Sequence, residues 1–187
     1  MPNIISKDEL AALAGTDLPP SEWMEISQER VNQFADATND HQFIHIDEQR
    51  AAGTPFGGTI AHGFLSLSLI THLVSDTMPV PENTLMTINY GSDKVRYIAP
   101  VRVGKRIRAL QHVSEVAEKQ PGRWLVKTTV TIEIEGEEWA VVRVPRGHNL
   151  MERGLPSLPY LSSEYLLGRT GGISLELVDA KLREIDL

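Results

Sequence analysis

The stretch Gly57–Asp76, GGTIAHGFLSLSLITHLVSD, decides the fold of this chain. Its glycines lead into Phe64, Leu65, Leu67, Leu69, Ile70, Leu73 and Val74, which on a helix would cover most of the circumference. The pattern predicts a helix from Ala61 to Asp76. A helix apolar nearly all round belongs inside a protein, so the rest of the chain has to cover it. No Lys, Arg, Asp or Glu occurs between Ala51 and Ser75, long enough on length alone to span a bilayer. However, Gly53, Pro55, Gly57 and Gly58 break its first third, and His62, Ser66, Ser68, Thr71 and His72 interrupt the rest. A loop running into a buried helix is therefore expected, with no membrane partner.

Beyond this helix the period of the chain changes. Thr84–Tyr90 reads as a strand. From Lys94 to Ala109 the residues Val95, Tyr97, Val101, Val103 and Ile107 alternate with Arg96, Arg102, Arg106 and Arg108. Val126, Thr128, Val130, Ile132 and Ile134 alternate with Lys127, Thr129, Thr131 and Glu133, a turn comes next at Glu135-Gly136-Glu137, and Trp139–Val144 is a further strand. One buried and one solvated face is the mark of an antiparallel sheet. Before the apolar helix the chain reads as helix and loop. Ser6 and Glu9 have capping-box spacing ahead of a stop at Gly15. Ser27 can cap a helix through Ala35, and Asp47 a short one through Ala52. Helices succeeded by strands indicate an α+β domain, a sheet wrapped around one helix.

Composition narrows the chemistry. The chain has 187 residues, a net charge of −7 and no Cys. Disulfide frameworks, Cys-based metal centres and thiol nucleophiles are excluded, and the acidic balance argues against nucleic acid. The N-terminus, MPNIISKDEL, has no basic segment leading into an apolar one, so a cytoplasmic globular protein is expected.

The densest group of reactive side chains is Asp40-His41-Gln42-Phe43-Ile44-His45, placed in a loop between predicted helices. Asp40 and His45, a carboxylate and an imidazole, can hold and polarise one water. His41 and His45 stand four apart, but Gln42 occupies the place where the metalloprotease motif needs Glu, and no third ligand is evident, so no metal is expected. The second feature is Gly58-Thr59-Ile60-Ala61-His62-Gly63. N–H groups in a helix's first turn have no partner within the helix, and a Gly lets a substrate oxygen approach them.

Together these features resemble the MaoC-like dehydratases, which include the R-specific enoyl-CoA hydratases of the hot-dog fold. Asp40, Ile44, His45 and Ala51 fall in register with the family motif, and Ile60-Ala61-His62-Gly63 stands at the expected distance beyond them. The segment INYGSDKVRYIAPVRVGKRIRA is similar to the nodulation-type branch. Asn39, Gln42 and Phe43 stand where Gly, Asn and Pro are usual, a variant also seen in that branch. The resemblance implies a hot-dog domain over residues 21–145, preceded by a helical lead-in over 1–20. It implies a homodimer, no cofactor, and a trans-2-enoyl thioester substrate carried by CoA or acyl carrier protein. Its carbonyl would rest on the Gly63 N–H, and Asp40 and His45 would activate water, with Asp40 the base and Gln42 positioning the water or carbonyl. A hot-dog thioesterase and a catalytically silent thioester-binding protein are the alternatives.

Between Lys94 and Ser114 there are six cations and no acidic residue: Lys94, Arg96, Arg102, Lys105, Arg106 and Arg108. They are candidates for the carrier's phosphates, or a solvated strand face. Residues 146–187 form an extension of unknown role. It has a linker at Leu155–Pro159, a break at Gly171-Gly172 and an amphipathic helix between Ile173 and Ile185.

Overall fold

The computed structural model describes residues 3–137 and 140–152. In chain order the elements are β1 (Ile4–Ile5), α1 (Lys7–Ala12), β2 (Asp17–Leu18), β3 (Met24–Glu25), α2 (Gln28–Thr38), α3 (Phe43–Ile46), α4 (Glu48–Ala52) and α5 (Gly63–Leu73), then β4 (Val80–Pro81), β5 (Thr84–Ser92), β6 (Arg96–Tyr97), β7 (Arg106–Gln120), β8 (Arg123–Ile134) and β9 (Ala140–Glu152). The caps expected at Ser6, Ser27 and Asp47 all form, Ser6 with the full reciprocal box to Glu9. Helix α2 runs past Ala35 to Thr38 and stops at Asn39, whose φ of 57° is a left-handed cap.

The main sheet has the order β2-β7-β8-β9-β5, with β3 also on β7 and β6 also on β9. β7 and β8 form a long hairpin about Pro121-Gly122, and β8–β9 and β9–β5 are likewise antiparallel. Leu65, Leu69, Ile70 and Leu73 of α5 pack on Ile107, Ala109, Val130, Ile132 and Val144 of the sheet, all buried. This is the hot-dog α+β arrangement. Each buried aliphatic side chain in this layer contributes about 1.5–3 kcal/mol, so the seam between helix and sheet dominates stability.

Three expectations change. Helix α5 spans Gly63–Leu73 rather than 61–76, and it is not covered all round: Phe64, Ser68, Thr71 and His72 remain exposed. The segment from Lys94 to Ala109 is not one strand. Only Arg96–Tyr97 pairs before Pro100, which has no N–H to give a ladder, and Gly104 turns the chain at φ 84° into β7. The strand read over Trp139–Val144 is β9, which extends to Glu152. The linker, the Gly pair and the helix expected between residues 155 and 185 lie outside the described residues. No helix among the described residues is long and apolar enough to cross a membrane.

Candidate active site

Ile60 organises the site. Its N–H donates to the Ile44 carbonyl at 3.0 Å, and its own carbonyl accepts from His45 Nδ1 at 2.7 Å. It also bridges Arg102, while the next residue, Ala61, donates to the Val101 carbonyl at 2.8 Å. The loop entering α5 is thereby tied to α3 on one side and to the core on the other. Gln28 of α2 adds a second tie, donating to the His45 carbonyl at 2.7 Å and accepting from Thr59 Oγ1 at 2.6 Å.

His45 therefore sits not in a loop but on the short helix α3, buried. A carbonyl only accepts, so Nδ1 carries the proton and neutral His45 presents Nε2 as a lone pair. Burial lowers its pKa below the ordinary histidine value; the Ile60 carbonyl opposes this, and neighbouring His62 adds to it.

Asp40 comes directly after the left-handed cap of α2 and its side chain is half exposed. His62, the residue just before α5, joins the pair. Its ring stacks on His45 with centroids 3.8 Å apart, and its Nε2 donates to the Asp40 carbonyl oxygen at 2.9 Å and lies 4.0 Å from the Asp40 carboxylate. One donor atom each from Asp40, His45 and His62 converges within 4.8 Å, a spacing that could also hold a cation. His41 stands apart, its Nε2 on Asp36 at 2.9 Å, so it makes no metal pair with His45. His62 is the residue of this cluster to which the sequence reading gives no role, although it stands in the Ile60-Ala61-His62-Gly63 motif immediately ahead of an apolar helix.

A cavity of about 390 Å³ opens beside these residues, lined by His45, Gly63, Phe64, Ser66, Tyr97 and Ile98 among others. Gly63 is the first residue of α5, so its N–H is not used within the helix. The Tyr97 ring lies over it, and a Cβ there would fall 3.0 Å from Tyr97 Cδ1 and Cε1. Gln42 is exposed, with its backbone carbonyl accepting from the His45 N–H at 2.9 Å.

The six cations separate into two sets. Lys105 pairs with Glu137 at 3.3 Å, Arg106 with Glu135 and Arg108 with Glu133, all across the β7–β8 hairpin. These carboxylates are distant in sequence and opposite in register, which is why a local charge count does not see them. Lys94, Arg96 and Arg102 are exposed and have no ion pair among the described residues. The Arg102 guanidinium lies beside Gly57 at the mouth of the Gly-rich loop.

Comparison with known proteins accords with this geometry. The family model described as MaoC like domain matches residues 9–137. Nodulation protein N of Rhizobium meliloti is 45% identical over 134 residues, 71% of this chain and 83% of that protein. The 3-hydroxyacyl-thioester dehydratase Z of Mycobacterium tuberculosis is 47% identical over 128 residues, 68% of this chain and 84% of its own length. Among solved structures, the unliganded R-hydratase of Pseudomonas aeruginosa superposes with a TM-score of 0.61 at 25% identity, covering 78% of this chain and 89% of that one. A MaoC-like dehydratase from Rhodospirillum rubrum shares the fold, with a TM-score of 0.63 at 22% identity over 81% of this chain and 99% of its own. With its fold, its Asp40–His45–His62 cluster and its helix-end glycine in place, the chain belongs to the MaoC-like family of hydratase/dehydratase enzymes.

Proposed function

We propose that the chain catalyses the R-specific hydration of trans-2-enoyl-CoA to R-3-hydroxyacyl-CoA and the reverse dehydration. The observation that carries this reading is the tautomer of His45. Its Nδ1–H is committed to the Ile60 carbonyl, which leaves Nε2 unprotonated on a ring that has one nitrogen within 4.8 Å of an Asp40 carboxylate oxygen. A water held between them is polarised from both sides. As its oxygen bonds to C3, His45 Nε2, in place of the Asp40 expected from the sequence, accepts one of its protons, because its tautomer leaves it a free lone pair, while Asp40 holds the other hydrogen. The electron pair of the C2–C3 double bond moves toward the thioester oxygen, where the Gly63 N–H at the positive end of α5 receives the developing enolate. His45 then returns its proton to C2. Gln42 is the candidate to position the water or the carbonyl. Lys94, Arg96 and Arg102 are left to receive the carrier's phosphates, since the other three cations are already paired.

The same reading includes a homodimer. β5 is an edge strand that exposes Leu85, Met86, Ile88 and Tyr90, a run of apolar side chains that an isolated chain would leave to water. A second copy is the occupant the resemblance implies, and Ile88→Lys should convert the dimer to monomer in light scattering.

The reaction is tested with crotonyl-CoA, following loss of the enoyl-thioester absorbance and assaying free thiol in parallel. Hydration without thiol release is expected. Thiol release would instead make the protein a thioesterase, and neither change would make it a binding protein. Asp40→Asn and His45→Ala should each lower the rate by at least about 100-fold; variants as fast as the parent would remove these residues from the mechanism.

A further inference from the structure

A second cavity, of about 260 Å³, lies farther along α5 and takes no part in the chemistry above. Its lining is mostly apolar, with Val74, Met78, Val80 and Leu150, but includes the hydroxyl residues Thr71, Ser75 and Thr87 and also Asn89 of β5 and His148 of β9. Val144, Arg146, His148 and Leu150 are alternate residues of β9, so they share the face turned toward the helix, and all four are buried. An aliphatic strand face is the rule at such positions; here it carries a guanidinium and an imidazole.

Their hydrogen bonding is incomplete. Arg146 Nη2 donates to Asn89 Oδ1 at 2.7 Å, whereas Arg146 Nη1 and His148 Nδ1 are buried with no partner among the described residues. Thr128, opposite Arg146 on β8, has a buried and unpartnered Oγ1 as well. No carboxylate among the described residues pairs with Arg146, and an uncompensated buried guanidinium is costly. Because Arg146 holds the oxygen of the Asn89 amide, the NH₂ group of that amide is free to donate. His148, neutral beside a cation, can donate from Nδ1. The cavity lining thus carries two donors, Asn89 and His148, backed by the positive charge of Arg146 bound to Asn89.

We propose that this cavity binds a carboxylate carried on an apolar chain, with Asn89 and His148 donating to its oxygens and Arg146 compensating its charge. Two sources share that chemistry: a free aliphatic carboxylate, or the far end of an acyl thioester whose other end bears a carboxylate. The second source rests on the enoyl-thioester reading and fits the helix geometry. Val74 stands eleven residues after Gly63, which on a helix is three turns and about 20° round, about 16 Å along the same side. A substrate held by its thioester at Gly63 would extend its tail toward this end of α5.

The test has two arms. In the first, hexanoate and hexan-1-ol are titrated into the full chain while the His148 ring protons are followed by NMR. Hexanoate should move them and bind at least about tenfold more tightly than the alcohol, and Arg146→Met should remove that advantage. Asn89→Leu, which removes the amide donor together with the acceptor of Arg146 Nη2, should weaken hexanoate by a similar factor, with the circular dichroism spectrum recorded to confirm that the variant is folded. In the second arm, kcat/KM is compared for trans-2-dodecenoyl-CoA and trans-2-dodecenedioyl-CoA. An advantage of about tenfold for the carboxylate-ended ester, lost in Asn89→Leu, identifies the acyl end as the ligand. Equal rates together with hexanoate binding identify a free carboxylate. If neither ester is hydrated, the enoyl-thioester reading fails and the hexanoate arm alone decides the site. The proposal is overturned if hexanoate binds no more tightly than hexan-1-ol and the carboxylate-ended ester has no advantage.

Discussion

Acid should destabilise this protein through His148, by an amount the structure allows to be worked out. Burial, with a smaller contribution from the charge of Arg146, lowers its pKa from the ordinary 6.5 to about 4. Above pH ~6.5 the residue is neutral in both folded and unfolded chains, and it contributes no pH dependence. Between pH ~6.5 and ~4 the unfolded chain takes up a proton that the folded chain refuses, so stability falls as pH falls. The gap between 6.5 and about 4 corresponds to about 3 kcal/mol, nearly all of it lost by about pH 4. That is a large share of the roughly 5–15 kcal/mol of a typical domain. Carboxylates titrate over part of the same range, so the comparison has to be made against His148→Gln, which keeps a polar side chain of similar reach and cannot be protonated. Urea unfolding of both proteins at about pH 7 and about pH 4 isolates the histidine: the parent should lose about 3 kcal/mol more than the variant. Equal losses would mean that His148 is solvated in the folded protein, and the buried donor set at the second cavity would go with it.

Three further outcomes are expected. Gly63→Ala puts a Cβ 3.0 Å from the Tyr97 ring and crowds the approach to the helix N–H, so kcat/KM for crotonyl-CoA should fall about 100-fold. Because Tyr97 is 45% exposed and can turn outward, the unfolding midpoint should hardly move. Arg96→Gln and Arg102→Gln should raise KM for the CoA ester with little change in kcat, whereas Arg106→Gln, already paired with Glu135, should leave KM alone; equal effects from all three would point to a diffuse field rather than a phosphate contact. The hydration rate should fall on acidification as His45 Nε2 is protonated. The midpoint should lie below the ordinary histidine value because burial resists the charged form, and a midpoint above it would contradict the burial of that ring.

Much of this arrangement is legible in the residues. The helix at 63–73 is visible because six aliphatic or aromatic residues cover most of its circumference, and the β7–β8 hairpin because Val126 to Ile134 alternate without interruption. Asp40, His45 and Gly63 are legible because carboxylate, imidazole and glycine crowd the short segments between the two long helices. The second half of β9 is not, and the reason is physical. Its inward positions carry Arg146 and His148, with Pro145 just before them and Gly147 between them, so PRGH lacks the aliphatic alternation of a buried strand. The ion pairs of Lys105, Arg106 and Arg108 are hidden for another reason: their partners lie more than twenty residues away and meet them only through register. The open flank of α5 is likewise invisible, since amphipathicity reports which residues avoid water and not how many elements are available to cover them.

On the proposed reading, the placement of polar groups along α5 separates reaction from selection. At its N-terminal end the groups that matter are fixed by backbone: the Ile60 carbonyl orients His45, the Asp40 carbonyl takes His62, and the Gly63 amide is itself main chain. Substitutions elsewhere leave such groups where they are as long as the loop path holds. At the other end, the polar side chains at the second cavity include Asn89 of β5 and His148 of β9, which lie outside the loop that fixes the first site. On the proposed reading, a change at Asn89, Arg146 or His148 alters which chain end is accepted and leaves the water and the enolate oxygen untouched. The cost of that freedom is a cation and an imidazole buried in a strand that would be more stable with aliphatic residues. Arg146→Met with His148→Leu should therefore raise the urea midpoint at neutral pH. A lower midpoint would mean that the polar layer stabilises the fold, and its partners would then have to be sought within the protein rather than in a ligand.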